Sequence, residues 1–219
     1  MGSVIGDLLP LAVGVAISPI PIMAAILMIL SKNAGGAATG FAVGWVAGIV
    51  LVATAITLIA GSLDDPGDSE PSAASSWIKI ALGVALVVLA VRQWRARSDT
   101  AVPGWMEAID TLTPGKATGL GALLSVVNPK NLLLGISAGL AIGSAGLGAG
   151  EAAAAIVVFT LLASIPVLAV VIGYRVAADR LRPSLNSLRE WLHANNHAVM
   201  AIVLAVMGAV VVGKGIGGL

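Results

Sequence analysis

Six long apolar stretches separated by polar links run along the chain, at approximately 8–30, 38–61, 77–94, 118–143, 151–173 and 197–217. Each has about the length a helix needs to cross roughly 30 Å of hydrocarbon, the third being the shortest. The pattern predicts an all-α integral membrane protein of six transmembrane helices.

Two stretches are interrupted near their middles, the first by Ser18-Pro19-Ile20-Pro21 and the fourth by Asn128-Pro129-Lys130-Asn131. Proline removes a backbone donor and clashes with the preceding turn, so helices 1 and 4 are predicted to break at Pro19, Pro21 and Pro129, mid-membrane. Ser and Asn are preferred N-caps, and proline is favoured at the first helical position, so a new helix should begin after each break. Backbone freed in hydrocarbon is tolerable only where it is buried in protein or lines a cavity. The two breaks are therefore the candidate functional site. Pro166, after Ser164, predicts a kink in the fifth span, either packed or serving as a hinge.

Sliding the sequence on itself by 110 residues places Ser18-Pro19 on Asn128-Pro129. Identity elsewhere is weak, so a repeat rests on hydropathy and on the two breaks. The expected organisation is a single membrane domain, 1–219, with repeat one over about 1–95, a link over about 96–117 and repeat two over about 118–219. Three spans per repeat is an odd number, which inverts the second repeat relative to the first, as in many transporters. Two helix N-termini then converge at mid-membrane with their positive dipole ends.

Charge orients this frame. Lys32 follows the first span, Arg92, Arg95, Arg97 and Lys116 follow the third, and Arg175, Arg180, Arg182 and Arg189 follow the fifth. Those links are predicted to be cytoplasmic. The opposite links are Asp64-Asp65-Pro66-Gly67-Asp68, running on through Glu70, and the uncharged stretch from Gly143 to Gly150, so both termini are expected outside the cytoplasmic membrane. Two cytoplasmic links carry apolar faces, Trp105, Met106, Ile109 and Leu112 in one and Leu185, Leu188, Trp191 and Leu192 in the other. These read as amphipathic anchors lying at the interface or as partner-binding helices. Gly40, Gly44 and Gly48 in the second span and Gly135, Gly139 and Gly143 in the fourth are spaced for close backbone approach, though a chain with 27 glycines also produces such spacing by chance.

Composition narrows the function. Of 219 residues 58% are hydrophobic and 11% charged, with mean hydropathy +1.01, which belongs to a membrane protein. A net charge of +1 argues against nucleic acid, and the absence of cysteine removes disulfides, thiolate metal sites and thiol relays. The first seven residues lack the basic region of a signal peptide, and the following run is too long for one, so the segment is expected to be retained.

Lys130 is the one charged residue well inside a predicted span. A lysine at the bilayer centre costs about 2.5–3.5 kcal/mol on insertion scales, so it should face protein or water. It is the leading candidate for substrate contact, with Asn128, Asn131 and Ser18 as neutral partners. The alternative is that it satisfies carbonyls freed by the breaks. A cation between two helix N-termini, with no carboxylate in the spans, suits an anionic group such as a carboxylate, sulfate or phosphate. Asp7, Glu151, His193 and His197 sit at span ends and read as solvated. No Ser/His/Asp set, carboxylate pair, metal cluster or phosphate loop falls within the spans, so no enzyme, metal or cofactor is expected.

Six spans, a proline-broken first span and an Asn-Pro-Lys in the fourth resemble the lysine-exporter superfamily. The pair Ser18-Pro19-Ile20-Pro21 and Asn128-Pro129-Lys130-Asn131-Leu132-Leu133-Leu134 is most similar to the glycolipid- and sulfolipid-addressing proteins of actinobacteria. The resemblance covers the chain in topology and is specific at those two motifs. It implies export across the cytoplasmic membrane of a lipid or glycolipid, or of a small zwitterion as in the amino-acid branch. The chain lacks the Gly-Pro form of the first motif found in amino-acid exporters and both cysteines of thiol-transferring relatives. The expected partners are membrane lipids and the substrate, with homo-oligomerisation open; the runner-up function is a non-transporting accessory of an envelope-lipid machine.

Overall fold

Proline positions decide where the first helices stop and restart. The chain forms α1 (Gly2–Ala16), α2 (Pro19–Leu30), α3 (Ala34–Leu63), α4 (Ala73–Arg95), α5 (Pro114–Val126), α6 (Pro129–Gly143) and α7 (Ala149–Ile216). The computed structural model describes residues 1–31, 34–63, 73–98, 106, 109 and 111–219, with the side chains of these apart from 34, 63, 73, 74 and 175–179. Lys32, the acidic segment from Asp64 to Glu70, Trp105 and the Arg175 side chain lie outside the described residues.

Four segments are each long and apolar enough to span a membrane: Gly35–Ser62, Ser75–Arg95, Ala149–Tyr174 and Arg180–Ile216. The two proline-broken stretches are bent pairs, α1 with α2 at 55° and α5 with α6 at 68°, each counting as one broken span or a re-entrant loop. The fold is therefore an all-helical membrane bundle with four to six spans.

Contacts sort the helix termini into two ends. At one, Lys214 Nζ meets Asp7 Oδ1 at 3.0 Å and Ser76 Oγ donates to Gly218 O at 2.8 Å. At the other, Gln93 Oε1 pairs with His197 Nδ1 at 2.6 Å, and a Cβ on Gly36 would reach Pro114 Cγ at 2.9 Å. This second end carries Arg92, Arg95, Arg97, Lys116, Arg180, Arg182 and Arg189.

Both glycine stripes line one seam. Gly40 and Gly44 of α3 lie against the backbone of Pro114 and Thr118 in α5, Gly48 lies against Ser125 Oγ, and Gly139 of α6 sits where a Cβ would meet Ile56 Cβ at 2.6 Å. The small residues let α3 run along the whole broken pair α5–α6, so the spacing reflects packing.

The last two apolar stretches and the link between them form the single helix α7, with Pro166 and Pro183 inside it. Leu181 Cδ1 lies 3.5 Å from where a Cβ on Gly173 would stand, although a straight helix separates residues eight apart by about 12 Å. The helix therefore doubles back there. The segment over 185–192 is continuous with the helix of the last span, and its apolar residues divide: Leu185 and Leu192 are buried, while Leu188 and Trp191 are exposed. A seven-residue spacing puts Leu185 and Leu192 on the inward stripe and leaves Leu188 and Trp191 outside it.

Candidate functional site

The two breaks meet inside the bundle, and their hydrogen bonds can be accounted for carbonyl by carbonyl. In an unbroken helix Val15 O would receive the amide of residue 19 and Ile17 O that of residue 21, but both positions are proline. Ser18 Oγ donates to Val15 O at 2.7 Å, and Lys130 Nζ donates to Ile17 O at 2.9 Å. Gly14 O would receive the amide of Ser18, yet that amide turns to Ala16 O at 2.8 Å. Ile17, at φ −78° and ψ 69°, forms the centre of this tight turn. Gly14 O receives Lys130 Nζ instead, at 2.5 Å. One lysine thus closes two of the carbonyls that the first break opens.

The second break is tied to the first in return. Asn128 caps α6 by accepting from Lys130 N at 3.1 Å, as its position predicts. Asn131 Nδ2 donates to Leu124 O at 3.3 Å, the carbonyl that the amide of residue 128 would occupy in a continuous helix, and its Oδ1 lies 3.2 Å from Ser18 Oγ. Ser18 makes no capping bond to α2, because its hydroxyl is turned back to the carbonyl Pro19 leaves open. The N-termini of α2 and α6 converge, and Ser18, Lys130 and Asn131 are at most 4% exposed. On the flank of this hub Ile17, Val127 and Pro129 are exposed. The structure therefore unites Ser18, Asn128, Lys130 and Asn131, with Pro19, Pro21 and Pro129 as the residues that make the carbonyls available.

Pro166 stands apart from the hub sequence motifs and does not interrupt α7. Nearby, Thr160 Oγ1 and Ser164 Oγ are buried without a hydrogen-bond partner.

A cleft of about 710 Å³ opens at the Asp7–Lys214 end between α1, α4, α6 and α7. Its lining descends from Ser144 to Ser137 on α6 and to Leu11 on α1, and it does not include Lys130. Between its floor and the hub lie Leu134 and Met207, packed so tightly on Gly14 that a Cβ there would meet them at 2.9 and 2.8 Å. Sequence reasoning missed this cleft. Lys79, Lys214 and Asp7 lie near the ends of apolar stretches, and the signal that could have found them was parity, since stretches that alternate in direction bring the starts of the first and third beside the end of the sixth.

These features define a class: an all-helical membrane protein in which two proline-broken helix pairs cross and are pinned by a buried lysine. The chain matches the family model described as Sap, sulfolipid-1-addressing protein, over residues 8–217, and it belongs to that family. It is accordingly a membrane protein involved in lipid export, as the resemblance of its two motifs implied. Nothing among the curated proteins or the solved structures matches the chain.

Proposed function

We propose that the chain is an exporter that moves a lipid or glycolipid with an anionic or zwitterionic headgroup across the cytoplasmic membrane, built as six spans in two inverted three-helix repeats. The observation that carries this reading is the buried crossing of the two broken pairs in a chain of the sulfolipid-addressing family. Support for six spans comes from the ends. α1 starts beside Lys214, and α3, which follows α2 directly, starts beside Pro114 at the opposite end. The α5–α6 pair likewise runs from Pro114 to Gly143, which packs on Ala60 near the far end of α3. Each bent pair thus reaches from end to end. Trp77 and Trp94 are exposed seventeen residues apart on α4, about 25 Å at the helical rise, a spacing that suits two interfacial belts.

In this reading the basic end is cytoplasmic, both termini are outside, and the hub is the substrate gate. Lys130, Asn131 and Ser18 hold backbone carbonyls while the breaks are crossed, and Asn128 accepts the Lys130 amide; on separation of the pairs these side chains turn to the headgroup. The exposed Ile17, Val127 and Pro129 give a lipid lateral access to the hub, and Pro166 supplies the hinge in α7. The protein performs no covalent chemistry and takes no cofactor or metal; its partners are lipids and the substrate.

The fully paired hub, which the cleft does not reach, favours a second reading: a non-transporting accessory that organises lipid export. Reconstitution in liposomes separates the two. Movement of anionic lipid analogues between leaflets is the expected result, flux of amino acids alone would make the chain a small-solute exporter, and movement of neither would establish the accessory role.

A further inference from the structure

We propose that the groove between the end of α4 and the last part of α7 binds one anionic phospholipid of the surrounding bilayer, with its phosphate on Arg95 and an acyl chain laid along the groove. No hub residue belongs to this site, so it stands apart from the export reading. The groove encloses about 310 Å³. Ala90 and Ala201 form its buried floor, and the exposed side chains of Val91, Trp94 and Ile202 stand over them as walls. Short residues between tall ones leave a hollow where two flat helix faces would otherwise present a smooth surface.

The mouth of the groove is positive. Arg92 and Arg95 lie in the last turn of α4. Arg97 Nη1 donates to Trp94 O at 2.9 Å, and its guanidinium lies 4.8 Å from the centroid of the Trp94 ring, so Arg97 already serves the end of the helix. Arg95 lines the groove and makes no hydrogen bond or ion pair among the described residues. No carboxylate lies on α4, and the first on α7 in the direction of the groove mouth is Glu190, about 16 Å from Ala201 at the helical rise. Arg95 therefore offers an uncommitted planar fork, which suits the paired oxygens of a phosphodiester, and basic residues at the mouth of a groove between spans hold anionic head groups.

Length selects the rest of the occupant. From Arg95 to Val87 the groove follows eight residues of α4, about 12 Å. One leaflet of hydrocarbon is about 15 Å deep, so a chain whose head group meets Arg95 stays beside the groove for most of that leaflet. Trp94 stands between arginine and alanine, at the depth where indole rings favour the interface. A second copy docked on this face about an axis along the bilayer normal would set like arginines at one depth, whereas a lipid phosphate brings the opposite charge.

Trp94 reports on the groove directly. The chain is reconstituted in phosphatidylcholine vesicles containing a small fixed fraction of brominated phosphatidylglycerol or of brominated phosphatidylcholine, and the difference from Trp94→Phe isolates the Trp94 emission, which nearby bromine quenches. Brominated phosphatidylglycerol is expected to quench with several-fold higher relative affinity, unbrominated phosphatidylglycerol to relieve the quenching, and inorganic phosphate not to. Arg95→Gln should lower the relative affinity roughly fivefold, the contribution of one arginine near an anionic head group. Ala205→Leu, at an exposed lining position, narrows the groove without touching a charge and should also lower it. Equal quenching by the two lipids, or relief by inorganic phosphate, would overturn the site. So would a preference unchanged in Arg95→Gln, and one unchanged in Ala205→Leu would place the lipid on the charged surface and not in the groove. No lipid movement is read, so each result leaves the export reading as it stands.

Discussion

At the scale of single residues, Lys130 determines whether the crossing holds. Its two acceptors, Gly14 O and Ile17 O, have lost their helical donors, so Lys130→Met leaves both unpaired inside the bundle. Each buried unpaired acceptor costs about 1–3 kcal/mol, so the variant should lose about 2–6 kcal/mol of stability. The insertion cost of the lysine is not regained, because the helix places it in hydrocarbon whether or not the helices are packed. A lower melting temperature in detergent is the expected result; an unchanged one would mean that the two bonds contribute nothing and that the charge is held for the substrate. Lys130→Arg should also destabilise, since the side chain is 1% exposed and the guanidinium fork needs more room. Ser18 and Asn131 join the two breaks across 3.2 Å. A double-mutant cycle of Ser18→Ala with Asn131→Ala should return a coupling of about 0.5–1.5 kcal/mol, and strict additivity would show that the breaks are held by Lys130 alone.

At the scale of elements, the seam of α3 against α5 and α6 sets what the chain tolerates. Gly139 has no space for a side chain, with Ile56 Cβ at 2.6 Å and Ile56 Cγ2 at 2.8 Å from a Cβ placed there. Gly139→Val should cost about 1–3 kcal/mol or more by overpacking, visible as lost folded yield in detergent. Gly119, one face away on α5, has nothing within 4 Å of the same position. Gly119→Ala should be neutral or stabilise by about 0.5–1 kcal/mol, as expected for removing a glycine from a helix interior. Equal effects at the two sites would contradict the seam. The bends of 55° and 68° belong to the same scale. Prolines make the breaks, but the angles are kept by the donors that meet the freed carbonyls.

For the whole molecule, the ends define the topology. Cysteines placed at Ser62 should be labelled from outside intact cells, and those at Ser98 or Ser184 should not, because the latter positions lie at the end rich in arginine. Outside labelling at Ser184 would reverse the orientation and with it the inverted repeat. Much of this architecture was legible in the sequence, because hydropathy and capping act locally: a run of apolar residues is a span whatever its neighbours are, and Pro19 and Pro129 each follow a polar N-cap residue and open a new helix, whereas Pro10, Pro166 and Pro183 lack one and lie inside their helices. The N-cap role of Asn128 was readable for the same reason. What the sequence left open were the partners. Whether Lys130 meets a substrate or a carbonyl depends on which atoms lie within 3 Å of its ammonium, and those belong to residues more than a hundred positions away. Ser18 reads as a cap by local rule, but its hydroxyl goes back to Val15 O, the carbonyl that Pro19 leaves open, and the tertiary crossing adds Asn131 as a second acceptor. The cleft of Lys79, Asp7 and Lys214 has no local signature, since it arises only where three helix ends from distant parts of the chain come together. Local chemistry determines each helix and each break, while long-range packing alone decides which donor answers which freed acceptor.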